Sequence, residues 1–334
     1  VFHSPKGERF SVRLSQSVTC VVNRIKFDKY ISEMAENAGV KYYLSSRVES
    51  LIIDDGFVKG VTVQQYGKKA KKFLAKIVID AEGISSRILR QTGLHPFDKH
   101  MFVNAAHVEV ENVEDTEKDI VEIFLGKDYA PGFFAWLIPK PDGKAKVGLA
   151  AKTGNPKELL QKLVSKHPIV SKKLDKARFL HTAFHPITLG GSIPKTYSDG
   201  FLVVGDAASH VKPTTGGGII FGMTCARIAA EIVHEALGKN NFSSEFLSEY
   251  QKQCEEILGF DLKVMLKIRK MLDTMSDEKI DNIISLCTKL NLNKALQSVK
   301  DIDFQGQSFL RLLQSPRMLT TLFYFFFLHL STNP

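Results

Sequence analysis

The residues best placed to do chemistry lie in one stretch, Gly205–Gly222, which reads GDAASHVKPTTGGGIIFG. The apolar run Gly200–Gly205 (GFLVVG) leads into it, as expected for a parallel strand buried on both faces. A strand that ends in Gly-Asp delivers the Asp206 carboxylate to the carboxyl edge of a sheet, where open α/β folds bind ligands. Ala207 and Ala208 let a ligand approach the backbone closely, and Pro213 fixes the loop. Gly216, Gly217 and Gly218 then expose amide N–H groups at a helix start, where hydrogen bonds and the helix dipole hold partial negative charge. The helix-forming Ala-Arg-Ile-Ala-Ala-Glu that follows shows that the glycines open a helix and are not a linker. His210 lies inside the loop and reads either as a proton relay or as a plain polar loop residue.

The rest of the pattern supplies the elements that must hold this loop. Phe27–Ala38 reads as a helix capped by Asp28, with Tyr30, Ile31, Met34, Ala35 and Ala38 as its apolar stripe. A short strand is expected at Tyr42–Leu44. The segments Val48–Asp54 and Phe57–Tyr66 alternate around Asp55-Gly56, a hairpin signal, and Phe73–Asp80 reads as a third strand. From Met101 to Lys152 four strands follow one another, which predicts an antiparallel sheet as a separate lobe. Short helices at Glu158–Ser165 and Ser171–Ala177, a strand at Phe179–Ile187, a long helix from Gly217 to Leu237 and a helical remainder complete the pattern. The expected division is an incomplete first cofactor lobe over 1–100, the sheet lobe over 101–187, the resumed cofactor lobe over 188–238, and a helical region over 239–334.

With 334 residues, 44% apolar and 24% charged, the chain is ordinarily globular, which excludes disorder, collagen and coiled coil. Cys20, Cys225, Cys254 and Cys287 are far apart with no CxxC pair, so no zinc ribbon or disulfide scaffold is encoded. Cys20 is expected as a buried thiol in a strand. His181 and His185 have i,i+4 spacing, but in a predicted strand and without an intervening Glu they read as structural, and no metal is expected. The net charge of +9 is spread out, and its densest run, Gly67–Lys72 (GKKAKK), lacks interleaved aromatics. It is expected as a solvated hairpin tip and not as a nucleic-acid surface. The start of the chain has no signal-peptide pattern. Met318–Leu330 (MLTTLFYFFFLHL), at 13 residues, is short of the about 20 that a bilayer span needs. It reads equally as a buried terminal helix or as an interfacial segment.

The Gly205–Gly222 stretch resembles the second FAD-binding motif of flavoproteins related to p-hydroxybenzoate hydroxylase, and within them the geranylgeranyl reductase family, which includes archaeal digeranylgeranylglycerophospholipid reductases. Val78–Arg87 (VIDAEGISSR) resembles the family's strand-then-Asp-Gly motif, with Glu82 in place of Asp. Asn23-Arg24 followed by Phe27-Asp28 resembles its Asp-Arg-then-Phe-Asp segment, and Pro131–Pro139 (PGFFAWLIP) resembles its PGGYxWxFP signature. The resemblance runs from about residue 20 to residue 237. It implies an α/β, p-hydroxybenzoate hydroxylase-like fold with an antiparallel substrate lobe and a helical tail.

By this resemblance Asp206 bonds the ribityl or pyrophosphate part of FAD, while Gly217, Gly218 and Ile219 set backbone N–H groups at the flavin edge. Arg24 lies against the pyrophosphate, Val48 lies near the adenine, and Phe133, Phe134 and Trp136 line a pocket for an isoprenoid chain. The implied reaction is hydrogenation of C=C bonds in geranylgeranyl chains of a membrane glycerophospholipid. The implied electron donor is reduced ferredoxin or another low-potential carrier, and the implied location is the cytoplasmic face of the membrane. The family's opening GxGxxG unit is nowhere in these residues, so the expected chain is one that starts past it. Two rivals remain at this level: a flavin monooxygenase or halogenase of the same fold, and a non-catalytic isoprenoid-binding remnant.

Overall fold

The structure is a computed structural model that describes residues 1–14, 19–297, 299, 302–312, 316, 319–320 and 323–324. In chain order the elements begin with β1 (Phe2–His3), β2 (Arg9–Phe10), α1 (Arg24–Asn37), β3 (Ser46–Asp54), β4 (Phe57–Gln65), β5 (Lys71–Leu74) and β6 (Val78–Asp80). The next group is β7 (Phe102–Glu111), β8 (Glu122–Leu125), β9 (Phe134–Lys140), β10 (Lys144–Ala151), α2 (Pro156–Lys166), α3 (Val170–Lys173) and β11 (Arg178–Thr188). The chain continues through β12 (Tyr197–Ser198), β13 (Phe201–Val203), α4 (Ile219–Lys239), α5 (Ser244–Asp273), α6 (Asp277–Lys289), α7 (Leu292–Leu296) and α8 (Gln305–Leu312).

The sequence of β10, KAKVGLAA, states the logic of the large sheet. Successive side chains of a strand point to opposite faces, so Ala145, Val147, Leu149 and Ala151 go to one face and Lys144, Lys146, Gly148 and Ala150 to the other. The first set is buried with Val108 and Val110 of β7, Ala135 and Leu137 of β9, and Leu160 and Leu163 of α2. Asn155 caps α2 by accepting from the Lys157 N–H, with Pro156 at the first turn. The sheet has seven strands in the order β11-β7-β10-β9-β8-β1-β2, antiparallel apart from the parallel pair β1–β8. The first ten residues therefore extend this sheet.

The sheet built on β13 is made differently. β13 is flanked by β12 and, in parallel, by β6, with Phe201 opposite Val78 and Val203 opposite Asp80. Phe201, Leu202 and Val203 are fully buried, as the continuous apolar run requires. α4 and α5 pack on this sheet through Phe221, Cys225, Ile228, Leu247, Cys254 and Leu258. The buried Tyr250 hydroxyl of α5 donates to the Val203 carbonyl at 2.9 Å, which ties that helix to the strand preceding Asp206.

Four local expectations are corrected. The cap of α1 is Asn23, whose side chain accepts from the Lys26 N–H, while Asp28 lies within the helix and binds Arg24. Tyr42–Leu44 forms no strand; it leads into β3 without a ladder partner. Phe73–Asp80 is two strands, because the chain leaves the β3-β4-β5 sheet at Ala75 and enters the other sheet at Val78. Cys20 is exposed, since residues 19–23 directly ahead of α1 join no sheet. The hairpin at Asp55-Gly56, the four strands after Met101 and the strand–loop–helix around Asp206 are found where expected.

α1 buries none of its residues, and Tyr30, Ile31 and Met34 of its apolar stripe are exposed. Among the described residues no helix is long and apolar enough to cross a membrane. Of Met318–Leu330 only Leu319, Thr320, Phe323 and Tyr324 fall within the described residues, so the expectation for that segment lies mostly outside them.

Candidate functional site

The turn after β13 is a tight one: Gly205 takes a positive φ of 64° and Ser209 one of 56°. The residues between them form a single 3-10 turn with Ala207 and Ala208 fully buried. Ser209 is held by a buried 2.8 Å hydrogen bond between its hydroxyl and that of Thr188 at the end of β11. The loop then closes on itself, with the Gly216 N–H donating to the Lys212 carbonyl at 2.9 Å. Its outer side is tied to the helical region, where the Lys212 ammonium pairs with Asp303 and the Thr214 hydroxyl donates to Gln305 at 2.5 Å.

α4 starts at Gly218 with no side-chain cap and no acidic residue in its first turn. Its leading amides are therefore open for an external anion or dipole. The glycines are needed for space. A Cβ at Gly218 would lie 2.9 Å from the Asp206 Oδ1, and one at Gly217 would lie 2.8 Å from the Lys212 side chain. Asp206 is exposed at the mouth, yet desolvation by the surrounding walls pushes its pKa up, opposed by the charges of His185 and Arg24. Its carboxylate accepts no hydrogen bond from the described residues, so it is open to hydroxyl donors. This arrangement fits FAD: an acceptor for the polyol and free amides for the flavin edge.

His210 is almost fully buried, its Nδ1 has no partner, and burial pushes its pKa down to about 4. It is a neutral imidazole near neutral pH, and no catalytic step is assigned to it. Arg24 opens α1 and forms a bidentate pair with Asp28 at 3.0 and 3.1 Å, while its charge reaches Asp206, His185 and Lys146. Val48 is on β3, with its carbonyl accepting from Arg87, and packs in the same apolar cluster as Ala207 and Ala208. Glu82, in the position where the family has Asp, uses its longer side chain to accept from the Ile88 and Leu89 N–H groups at 2.8 and 2.9 Å. Burial would raise its pKa, but these bonds and that from Ser85 hold it low; burial and the neighbouring Glu82 push Asp80 up.

Phe133, Phe134 and Trp136 come together on the sheet. Phe133 and Phe134 stack at 4.3 Å, and Phe134 meets Trp136 edge-on at 6.0 Å. They share a cluster with Val103, Ala105, Ala150 and Ile187. This wall abuts the glycine loop, since a Cβ at Gly216 would lie 3.2 Å from Ile187 and 3.8 Å from the Phe133 ring. On the far side of Phe133 is a cavity of about 360 Å³ between the sheet and α5–α6, with the Arg269 guanidinium 5.4 Å above the ring. Arg269 and Lys152 both pair with Asp273 at 2.6 Å.

Sequence reasoning missed three groups on this same face: His107, Lys146 and His185, the last of which it read as merely structural. His107 and His185 meet edge-on with ring centroids 5.6 Å apart. Burial lowers the pKa of both, His107 to about 4, and Lys146 lowers them further. Their signal was the period-two alternation of β7 and β10, which puts His107 and Lys146 on the face of Trp136.

Comparison with known proteins identifies the family. Residues 4–258 match the family model described as FAD binding domain. The digeranylgeranylglycerophospholipid reductase of Methanosarcina acetivorans is 31% identical over 320 residues, covering 94% of this chain and 75% of that protein. The protein of the same name from Methanocaldococcus jannaschii is 34% identical over 284 residues, covering 84% of this chain and 72% of that protein. Among solved structures, a geranylgeranyl bacteriochlorophyll reductase-like protein from Thermoplasma acidophilum superposes with a TM-score of 0.82 at 23% identity, covering 97% of this chain and 81% of that one.

Proposed function

The chain belongs to the FAD-binding family of the digeranylgeranylglycerophospholipid reductases, and from that premise we propose that it is an FAD-dependent oxidoreductase that saturates C=C bonds in geranylgeranyl chains of glycerophospholipids. FAD, when bound and reduced, supplies the hydride. The residues of the chain bind and position. Asp206 accepts from a hydroxyl of the ribityl arm, and the backbone amides of Gly217, Gly218 and Ile219 stabilise negative charge at the flavin edge. Arg24 neutralises pyrophosphate charge, and Val48 lies toward the adenine. Phe133, Phe134 and Trp136 hold the isoprenoid chain against flat apolar walls. An isolated alkene offers no carbonyl to polarise, so these residues act by holding the double bond in reach and excluding water.

The observation that carries this reading is the contact between the Gly216 loop and the apolar end of the sheet at Ile187 and Phe133. It sets a cofactor loop and a greasy wall at van der Waals distance. In the protein loaded with FAD and reduced by dithionite, digeranylgeranyl phospholipid in detergent gains mass in steps of one H₂. Asp206→Ala lowers the bound flavin, read from the bands near ~370 and ~450 nm expected of this cofactor, by at least about tenfold. Full flavin loading with no change in lipid mass would overturn the reductase reading.

The finer placement follows from charge and the terminal sequence. The net charge of +9 and the apolar Met318–Leu330 favour a protein working at an anionic membrane surface on its cytoplasmic face, and the family resemblance supports reduced ferredoxin or another low-potential carrier as its electron donor. Removing Met318–Pro334 should lower turnover of liposomal substrate more than turnover of detergent-solubilised substrate. Equal loss on both would refute the surface role.

A further inference from the structure

The sheet face that carries Phe134 and Trp136 is graded along its strands. At the glycine loop it is apolar, with Val103, Ala105, Ala150 and Ile187. Midway lies Trp136, whose ring covers Gly148: a Cβ there would be 2.6 Å from the indole and 2.7 Å from the His107 Cβ. His107 stands level with Trp136 across Gly148, His185 on β11 stands level with Ala105 one pair nearer the glycine loop, and beyond Trp136 β10 carries the cation Lys146. Lys146 stands opposite Glu109, but that carboxylate is held by Lys140 at 2.9 Å. The side chains of Lys146, His107 and His185 make no hydrogen bond or ion pair among the described residues, although His107 and Lys146 are half-buried. Arg24 adds positive charge from α1, and Asp206 is the acidic group near His185. Several unpaired donors on a partly desolvated surface are costly unless an anion joins them.

We propose that Lys146, His107 and His185 form the subsite for the phosphate of the lipid substrate, with Lys146 as the cation and the two imidazoles as N–H donors. The inference rests on the lipid-reductase reading and adds to it how the head group is held. Lys146 and Ala150 are four residues apart on β10, about 13 Å along an extended strand. A head group at Lys146 therefore lays its chain over Trp136 toward the apolar end beside the glycine loop. Along β10 the order Lys146, then Gly148 under the Trp136 ring, then Ala150 matches the order of an anionic lipid from head to tail, with His107 and His185 flanking that path from β7 and β11.

Two lipids in the same micelles test it: digeranylgeranylglyceryl phosphate and the neutral digeranylgeranylglycerol. The wild-type protein prefers the phosphate in kcat/KM, and Lys146→Gln lowers that preference about tenfold, as expected for loss of one charge-assisted contact. Lys146→Arg keeps the charge and restores it. The bound phosphate is also read without turnover: glycerol 1-phosphate raises the ring pKa values of His107 and His185, followed by NMR, in the wild type and not in Lys146→Gln. An unchanged preference in Lys146→Gln, together with histidines that ignore glycerol 1-phosphate, overturns the subsite. A fall in flavin content in Lys146→Gln would assign the same anion chemistry to the cofactor pyrophosphate and overturn the lipid assignment. If the flavin-loaded wild type reduces neither lipid, the reductase reading fails, while the histidine titration still decides the subsite.

Discussion

The two faces of the seven-stranded sheet are made by the same strands and have opposite characters. One face is covered by α2 and α3 and packed with Ala145, Val147, Leu149, Val108 and Leu137 at near-zero exposure. The other carries Lys146, His107 and Trp136, residues that are costly to leave half-covered. Strand periodicity of two lets one segment of sequence serve stability with one set of alternate residues and chemistry with the other. The difference teaches where to look for function: on the face whose residues are worse for folding.

The largest expected effect is on the covered face. Leu163 of α2 is fully buried, and Leu163→Ala should cost about 3 kcal/mol of stability. Denaturant unfolding measures it, and the remaining folded protein should keep its flavin. On the open face Gly148→Ala should act in the other manner. The new methyl displaces the Trp136 ring, with an overpacking cost of about 1–2 kcal/mol and a rise in lipid KM that Leu163→Ala does not show. If both variants lose stability and affinity together, the two faces are not separable.

Glu122 sharpens the contrast, because it is a charged residue on the covered side, bound by His3 at 2.8 Å and by Lys173 at 2.6 Å. Burial would raise its pKa, but these partners overcome that and hold it at about 2. A carboxyl depressed in the folded state contributes stability that is complete above its unfolded value and is lost as pH falls toward the folded one. Stability should therefore decline from about pH 4.5 toward about pH 2. After solvent screening the loss is about 1–2 kcal/mol. Glu122→Gln should flatten that limb in acid titrations of unfolding.

The smallest effect is at Arg24, whose pair with Asp28 is more than half exposed. Arg24→Ala should change stability by less than about 0.5 kcal/mol while lowering flavin retention in gel filtration. A large stability loss there would mean that α1 is held by more than its surface contacts.

The features legible in the sequence were those set by neighbours along the chain. Asp55-Gly56 dictates a hairpin, and Val203–Gly205–Asp206 dictates a strand that stops at a turn; both are local statements. The division of Phe73–Asp80 was not legible, because FLAKIVID carries no turn signal and only its partners decide that Val78–Asp80 pairs with β13. The Asn23 cap was masked by Asp28, an equally good capping type that the register places inside the helix. His107, Lys146 and His185 meet through antiparallel register across β11, β7 and β10, so no spacing along the chain brings them together.

The chain contains a single tryptophan, Trp136, and its ring packs over Gly148 on the open face. Its emission is thus an optical label already installed at the centre of the proposed lipid path. An apolar chain laid over the indole should shift the emission to the blue, and a flavin nearby should quench it by energy transfer. One fluorescence trace, free of any overlapping indole, can time the arrival of the lipid and of the cofactor separately.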